Sequence, residues 1–378
     1  MSKLLQYLTE HRNDILGDVE DFVTRESPSD DKARMDAFSE FLAGYAKGFG
    51  GEVEVIPIEE RGNHLRITWG DHTKGEKPLL LVGHFDTVWP VGSFGENPFR
   101  VEDGIAYGPG VFDMKAGLVQ GFWAVRALRE LTDFDKPVVF FCNSDEEVHS
   151  FFSRHLIEKE ARNARAALVL ESSNGGNLTT SRKGVGVYEV EATGRESHAG
   201  SNPFKGISAV DEMARHVIEL HSNTNPETGT TVNVGTISGG TRVNVIAGKA
   251  RAKVNLRVMD ETEAERMDAV IQSLQPHHPE AQVEIKGGIV RPPMHRSEGV
   301  ADLYETARQI ATSELGFDYL GETKSGGGSD GSFCADVGTP TLDGLGAVGQ
   351  GAHAAHEQIV VDHLPKRAAL LARLMQEI

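Results

Sequence analysis

The chain has 378 residues, of which 39% are hydrophobic and 25% charged, enough for one large domain or two of ordinary size. Its 38 Lys and Arg residues against 56 Asp and Glu residues give a formal net charge of -18, which argues against a general binder of nucleic acids or anionic membranes. The two cysteines, Cys142 and Cys334, lie far apart in sequence and do not indicate a disulfide framework.

The N-terminal region predicts two amphipathic helices, the second ending at Gly50-Gly51. In the first helix, apolar residues recur at helical spacing and charged residues interrupt them throughout. Such a segment is unlike a signal peptide or a membrane span. The cytoplasm is therefore the expected location.

Short apolar runs then alternate with helical patterns. Strands are predicted at EVEVIPI, HLRITW, PLLLVGH, PVVFFCN and AALVLES, which begin at Glu52, His64, Pro78, Pro137 and Ala166. Helices are predicted at KAGLVQGFWAVRALRELT and SFFSRHLIEKEA. This alternation indicates an α/β fold whose strands are buried on both faces.

From Lys183 the order changes to strand, helix, strand, strand, helix and strand, which is the order of a ferredoxin-like α+β module. The module ends near Pro292-Pro293, after which a helix from Glu298 and the final helix LPKRAALLARLMQEI resume the first pattern. We therefore predict a discontinuous main domain, residues 1–182 and 294–378, with an inserted domain at residues 183–293.

The first two candidate functional sites along the chain are His84 with Asp86, and Asp113. LLLVGH brings His84 to the end of its strand, the edge where open α/β sheets bind ligands, and Asp86 could support the imidazole. Taken alone, this pair is more typical of a histidine satisfied within the fold. Asp113 follows a loop rich in glycine and proline, and its alternative role is to cap the next helix.

Three further candidates end a strand or follow a glycine-rich turn: Glu146 or Glu147 in FFCNSDEE, Glu171 after AALVL, and His353 in GQGAHAAHEQI. Combined with His84 and Asp113, the set is rich in oxygen and has imidazole at two points. It suits one or two ions such as zinc, cobalt or manganese, and it lacks the thiolates of a structural zinc site.

Seven motifs occur in the order and spacing of a family of co-catalytic zinc metallopeptidases: GHFDTV, GPGVFDMKAGL, NSDEE, LVLES, ESHAG, GGGSD and GAHAAHE. The chain resembles this family, which includes bacterial glutamate carboxypeptidase, aminoacylase and succinyl-diaminopimelate desuccinylase, over nearly its whole length. Its motifs look most like those of glutamate carboxypeptidase. The resemblance implies a zinc-peptidase-like α/β catalytic domain with an inserted ferredoxin-like domain through which two subunits form a homodimer.

The resemblance also implies two Zn2+ ions per subunit, with Co2+ or Mn2+ as alternatives. Asp113 would bridge the two ions. His84 and Glu171 would bind one ion, and Glu147 and His353 the other. The peptide bond that follows Asp113 is implied to be cis.

The remaining implied roles concern catalysis and substrate. Asp86 supports the histidine two residues before it, and Glu146 becomes the general base. His198 of the inserted domain would reach the other subunit's active site and stabilise the oxyanion. Asn244 and Arg291 would bind a substrate carboxylate, for which the planar fork of arginine is well suited.

Other features leave the details open. Arg257 competes with Arg291 for the substrate carboxylate, although a structural salt bridge explains it equally well. Relatives commonly place glycine where this chain has His149, and many read HSPDE where it reads HAAHE, which adds His356. Neither departure removes a predicted ligand.

The implied function is a dinuclear zinc-dependent hydrolase that cleaves an amide bond and releases a C-terminal amino acid from a small peptide, folate-like or N-acyl substrate. An N-acyl-amino-acid deacylase is the alternative among hydrolases, and the sequence does not decide between the two. A catalytically silent dimeric scaffold is the alternative from another class, although the intact ligand set and Glu146 argue against it.

Overall fold

The computed structural model describes residues 2–378 and contains two compact units. The first unit runs to Ser181 and continues over His295–Lys324 and Ser329–Ile378. The second unit comprises Arg182–Met294 and Ser325–Gly328. The second unit is thus one long insertion in the first, to which the chain later adds the short segment Ser325–Gly328.

The helices of residues 2–378 are distributed over both units. They are α1 (Lys3–Glu10), α2 (Arg12–Thr24), α3 (Lys32–Gly48), α4 (Ala116–Leu131), α5 (Arg154–Asn163), α6 (Ala209–His221), α7 (Glu261–Gln272), α8 (Glu298–Glu314), α9 (Gly331–Asp336) and α10 (Leu364–Glu377). Among these described residues, no helix combines the length and apolar character needed to cross a lipid bilayer.

The strands of the described residues, 2–378, belong to five sheets. They are β1 (Glu52–Ile56), β2 (His64–Trp69), β3 (Leu79–His84), β4 (Arg100–Glu102), β5 (Ile105–Tyr107), β6 (Val138–Asn143), β7 (Ala166–Val169), β8 (Leu178–Arg182), β9 (Gly184–Thr193), β10 (Ser197–His198), β11 (Thr231–Gly239), β12 (Val245–Ile246), β13 (Lys249–Val258), β14 (Gln282–Arg291), β15 (Glu322–Ser325), β16 (Thr341–Leu342), β17 (Gly349–Gln350) and β18 (Gln358–Val360).

The N-terminal region differs from the prediction in having three helices instead of two. α1 and α2 are separated at His11, whose backbone has φ -93° and ψ 15° and whose Nδ1 lies 2.7 Å from Asp14 Oδ2. Leu8 and Ile15, on either side of this break, are both buried in one core. Because the apolar spacing continues across the break, the sequence pattern resembles a single helix.

The first unit is built on a six-stranded sheet with the order β1-β2-β6-β3-β7-β16. β6, β3, β7 and β16 are parallel, whereas β1 and β2 add antiparallel pairs at one edge. Parallel strands of this kind end on the same side of the sheet, so the residues that follow them are brought together.

Both faces of this sheet are covered. In β3, Leu79 and Leu81 belong to the core that also contains α4 and α10, whereas Leu80 and Val82 belong to a second core with α5 and α9. All four side chains are fully buried. Since successive strand residues point to opposite faces, the uninterrupted apolar run of β3 is explained by helices on both sides.

The second unit contains a four-stranded antiparallel sheet with the order β11-β13-β9-β14. α6 and α7 cover one face of this sheet with apolar side chains, and β13 alternates between exposed and buried residues along its length. Strand order and helix placement match a ferredoxin-like module. The predicted α/β class and the ferredoxin-like insertion are therefore confirmed.

Candidate metal centre

Three strands of the first unit end next to one another at the same edge of the sheet. β3 ends at His84 and pairs in parallel with β6 and with β7. The chain continues from β6 into Glu146 and Glu147, and from β7 into Glu171. The structure thus brings these acidic side chains to His84, as expected for the carboxyl ends of parallel strands.

Asp113 reaches the same place from the loop before α4. This loop turns at Gly110, whose φ of +70° is unfavourable for residues with a side chain, and where a Cβ would lie 2.5 Å from Thr87 Cγ2. Asp113 does not cap α4 in the usual way, because a π-helical turn at Val111–Lys115 precedes that helix. The peptide bond between Asp113 and Met114 is cis, as the resemblance implied.

The two carboxylate oxygens of Asp113 face different partners. Oδ1 lies 3.3 Å from His84 Nε2, which is itself 3.6 Å from Glu171 Oε1. Oδ2 lies 3.5 Å from His353 Nε2, which is itself 3.1 Å from Glu147 Oε2. Asp113 therefore stands between two groups of donors, each with one imidazole and one further carboxylate.

These separations can be compared with those expected around a metal. With Zn–N and Zn–O distances of about 2.0–2.1 Å, two donors on one tetrahedral zinc lie about 3.3 Å apart. The four donor separations around Asp113 run from 3.1 to 3.6 Å. A mixture of imidazole nitrogen and carboxylate oxygen also suits zinc, cobalt and manganese. The residues present thus fit a metal centre.

The carboxylates are crowded and shielded from water, which shifts their pKa values. Burial raises the pKa of Glu147 to about 7, although its hydrogen bond to His353 opposes the shift. Burial would also raise the pKa of Asp113, but hydrogen bonds to His353 and His84 outweigh it and leave the pKa below its usual value. So much buried negative charge needs a cation beside it.

The two histidines provide that positive charge in the protein itself. Burial acts to lower the pKa of His84, but hydrogen bonding to Asp113, Asp86 and Glu171 raises it well above its usual value. Hydrogen bonds to Asp113 and Glu147 raise the pKa of His353 to about 11. A bound divalent cation would take over this role and displace protons from both rings.

Asp86 contacts the turn of Glu146 and Glu147 as well as His84, its neighbour in the sequence. His84 Nδ1 lies 3.0 Å from the backbone oxygen of Asp86 and 3.4 Å from its carboxylate. The same carboxylate accepts backbone N–H groups of Glu146 and Glu147 at 3.2 and 3.1 Å, and the hydroxyl of Ser29 at 2.8 Å. Asp86 therefore positions the turn that carries both glutamates as well as the imidazole.

Glu357, which has no role predicted from the sequence, holds the loop of Asp113. Its fully buried carboxylate accepts the backbone N–H groups of Gly110, Phe112 and Asp113 at 3.0, 2.9 and 3.0 Å, and Trp89 Nε1 at 2.7 Å. Burial raises its pKa, and these donors oppose the shift. The glutamate that ends GAHAAHE was the available signal, since it lies four residues after a predicted ligand.

A second buried acid, Asp145, directly precedes Glu146 and Glu147 in the chain. Its Oδ2 accepts the backbone N–H of Phe152 at 2.8 Å, and its Oδ1 lies 3.9 Å from His64 Nε2. Burial raises the pKa of Asp145 to about 6. His64 Nδ1 accepts the backbone N–H of Ser144 at 3.2 Å, so the neutral ring carries its proton on Nε2, facing this carboxyl group.

This arrangement predicts a stability loss in acid that depends on His64. Burial lowers the pKa of His64 to about 4, whereas the unfolded chain protonates it near its ordinary 6.5. At His64 the unfolded state therefore binds more protons than the folded state between about pH 6.5 and 4, and this residue alone lowers the free energy of unfolding by about 3 kcal/mol over that window. The raised pKa of Asp145 acts in the opposite direction. His64→Gln should flatten the free energy of unfolding, measured with urea, between pH 7 and 4. His295→Gln, at an exposed site, is the control and should keep the wild-type dependence.

The backbone after the two glutamates has an unusual conformation. His149 and Ser150 have φ values of +78° and +53°, a region that glycine adopts with little strain. This conformation explains why relatives commonly have glycine at the position of His149. The ring of His149 packs against Phe151 at 5.9 Å between centroids.

The other predicted residues lie in the second unit. His198 is exposed, pairs with Val245 between β10 and β12, and accepts backbone N–H groups of Gly200 and Ser201 on Nδ1 at 3.1 and 3.0 Å. Asn244 is exposed, and its backbone oxygen accepts the N–H of Ala199 at 3.0 Å.

Arg291 and Arg257 are neighbours in the second unit. Arg291 is 3% exposed, and a Cβ on Gly328 of GGGSD would lie 2.7 Å from its Cδ, so that glycine makes room for the arginine. Burial and the positive charge of Arg291 lower the pKa of Arg257, whose Nε donates to Asn255 Oδ1 at 3.0 Å. Two adjacent guanidinium groups form an arrangement that attracts an anion.

Sequence comparisons agree with this geometry. The model of peptidase family M20/M25/M40 matches residues 80–377. Carboxypeptidase G2 of Pseudomonas sp. is 30% identical over 99% of this chain and 92% of its own length. Succinyl-diaminopimelate desuccinylase of Stenotrophomonas maltophilia (strain R551-3) is 26% identical over 84% of this chain and 89% of its own length.

A solved structure shows the same fold. Aminopeptidase PepT from Bacillus cereus superposes with a TM-score of 0.77 and 23% sequence identity, covering 97% of this chain and 98% of the other. The architecture described above is therefore shared with a peptidase.

Proposed function

Because this chain belongs to peptidase family M20/M25/M40 and is a metal-dependent hydrolase, we propose that it cleaves an amide bond next to a free carboxylate and releases a C-terminal amino acid. The observation that supports this most is the position of Asp113, with each carboxylate oxygen facing a separate imidazole. One carboxylate placed in this way suits two cations.

We propose that two zinc ions occupy the site. Asp113 would bridge them, with His84 and Glu171 on one side and Glu147 and His353 on the other. Two ions sharing a carboxylate supply a Lewis acid for the carbonyl oxygen and lower the pKa of bound water. The protein contributes the spacing of the ligands, which Asp86 and Glu357 maintain through hydrogen bonds to the backbone of both turns.

Glu146 is proposed as the general base. A donor atom of its carboxylate lies within 4.8 Å of donor atoms of His84 and Glu171, so the side chain borders the cluster. It would accept a proton from the attacking water and return it to the departing amine. Because the backbone N–H of Glu146 donates to Asp86, the position of the base is fixed relative to Glu147, the proposed metal ligand that follows it in the sequence.

Substrate binding is assigned to the second unit. Arg291, with Arg257 as its neighbour and competitor, would hold the free carboxylate of the substrate, and Asn244 would donate a further hydrogen bond. His198, supplied by the other subunit of a homodimer, would stabilise the oxyanion. Dimerisation and a cytoplasmic location stay predictions, as does the absence of nucleic acid or membrane partners.

An N-acyl-amino-acid deacylase is the second candidate. The relatives named succinyl-diaminopimelate desuccinylase and acetylornithine deacetylase favour it, because those names describe the removal of an acyl group from nitrogen. Both candidates use the same cluster and differ in the group on the other side of the scissile amide.

A substrate panel separates these candidates and tests the carboxylate requirement. The zinc, cobalt and manganese forms would be assayed for release of amino acid from dipeptides, N-acetyl and N-aroyl amino acids and glutamate conjugates. Because a guanidinium binds a carboxylate through two charge-assisted hydrogen bonds that a neutral amide cannot replace, we expect C-terminal amides of the same substrates to lose at least about 100-fold in kcat/KM. Equal rates on amides and free acids would contradict the proposal. Preferred hydrolysis of N-acetyl amino acids would favour the deacylase.

A further inference from the structure

A second cluster of metal-binding residue types lies within the second unit. Glu212 and His216 are four residues apart on α6, a spacing that places both side chains on one face of a helix. His277 follows α7 in the segment QPHHPE. One potential ligand atom from each residue lies within 4.8 Å of the other two.

His216 is the centre of this cluster and is unusual in its burial. Its side chain is fully buried, yet neither ring nitrogen has a hydrogen-bond partner of acceptable geometry. Nε2 nevertheless lies 3.2 Å from Glu212 Oε1, and Nδ1 lies 3.6 Å from Glu219 Oε2. A buried polar group without a hydrogen bond is costly, so this imidazole calls for an explanation.

The distance between His216 Nε2 and Glu212 Oε1 fits two ligands of one metal ion better than a direct hydrogen bond. Two donors on one tetrahedral zinc lie about 3.3 Å apart and need not point at one another. The contact of 3.2 Å between His216 Nε2 and Glu212 Oε1 has this length without hydrogen-bond geometry. Both atoms can therefore direct lone pairs toward a common ion.

The third ligand is already held in place. Glu212 accepts the backbone N–H of His277 at 2.5 Å and that of His278 at 3.1 Å, which fixes the segment after α7 against α6. The rings of His216 and His277 have their centroids 4.7 Å apart. Glu219 adds a carboxylate oxygen 3.4 Å from His277 Nε2, on the partly exposed side.

We propose that Glu212, His216 and His277 form a binding site for a transition-metal ion such as zinc. One buried imidazole, one partly exposed imidazole and carboxylate oxygens suit zinc or cobalt. The site shares no residue with the cluster around Asp113. Its effect would be to link α6 to the segment between α7 and β14, in addition to the two backbone hydrogen bonds to Glu212.

The test is a zinc titration of the full-length chain in the Asp113→Ala background, which weakens the first cluster. We compare this chain with versions that also carry His277→Ala or His278→Ala. His277 is partly exposed, so its loss should leave the fold intact, and His278 is its neighbour outside the cluster. Loss of an outer-shell partner costs about 10–100-fold in metal affinity, so loss of a ligand should weaken zinc binding by about 100-fold or more.

Two measurements decide the outcome. Dialysis followed by metal analysis should find one zinc fewer per chain in the His277→Ala version than in the other two. Zinc should also raise the unfolding temperature of the Asp113→Ala and His278→Ala versions more than that of the His277→Ala version. Equal zinc content in all three chains would overturn the proposal, whatever the result for the hydrolytic site.

Discussion

Replacing Glu146 with glutamine should lower kcat by about 100- to 10,000-fold without loss of bound metal. The glutamine keeps the size of the side chain and the backbone hydrogen bond to Asp86, but its amide cannot accept a proton at neutral pH. The ligands around Asp113 are left intact. The measurement combines steady-state kinetics on the best substrate of the panel with metal analysis of the same preparation.

Glu147→Gln provides the matched comparison, because it changes the neighbouring carboxylate, which lies 3.1 Å from His353 Nε2. This variant should lose metal as well as activity, since an amide is a poorer ligand than a carboxylate. Normal turnover in Glu146→Gln would contradict the proposed base. Metal loss in Glu146→Gln with none in Glu147→Gln would show that the two roles are exchanged.

The second large effect is expected at Glu357. In the wild-type protein, the carboxylate of Glu357 accepts three backbone N–H groups. In Glu357→Gln an amide nitrogen replaces one of its oxygens and cannot accept them, so at least one buried donor loses its partner. Hydrogen bonds to buried charged groups contribute about 1.5–3 kcal/mol each, and we expect a comparable loss in the free energy of unfolding. Because the loop of Asp113 is held by this carboxylate, metal affinity should fall by about 10–100-fold.

Competition with a chelator and urea unfolding measure these two effects. Trp89→Phe is the control, because it removes the indole N–H that donates to Glu357 at 2.7 Å, keeps an aromatic ring beside Phe94, and leaves the three backbone donors in place. Its effect on metal affinity should be clearly smaller. A Glu357→Gln protein with wild-type metal affinity would show that the loop of Asp113 is held by other contacts.

Elements whose pattern is local are predicted most accurately from the sequence. In the inserted module, the alternating segment KARAKVNLRV predicts a strand and is observed as β13, Lys249–Val258, because the pattern of a half-buried strand lies in consecutive residues. The final helix LPKRAALLARLMQEI is likewise observed as α10, Leu364–Glu377, with a proline at its start. In both cases the pattern and the structure it specifies lie within the same short segment.

The convergence of His84, Glu171 and the pair after β6 could also be anticipated, since each follows an apolar strand and parallel strands end at one edge. The assignment of Glu147 to metal and Glu146 to proton transfer came from the resemblance alone. Adjacent glutamates of the same chemistry give no local signal that distinguishes them.

Other features depend on partners far away in the chain. β10 and β12 have two residues each, too few for any periodicity, and they exist because they pair with one another. Glu357 becomes informative only when its backbone donors are known. His216 has the sequence context of an ordinary amphipathic helix, and its lack of hydrogen bonds emerges only when the segment of His277 is folded against it.

The tie between Glu357 and the loop of Asp113 has a consequence for the order of folding. These two residues lie 244 positions apart, and the whole of the second unit is synthesised between them. Closing so long a loop is slow compared with forming local helices and hairpins. On the ribosome, His84 and Asp113 emerge early, but the loop acquires its acceptor only after the segment that carries Glu357 has been made. A chain synthesised only as far as the end of the second unit therefore lacks the carboxylate that holds the loop of Asp113.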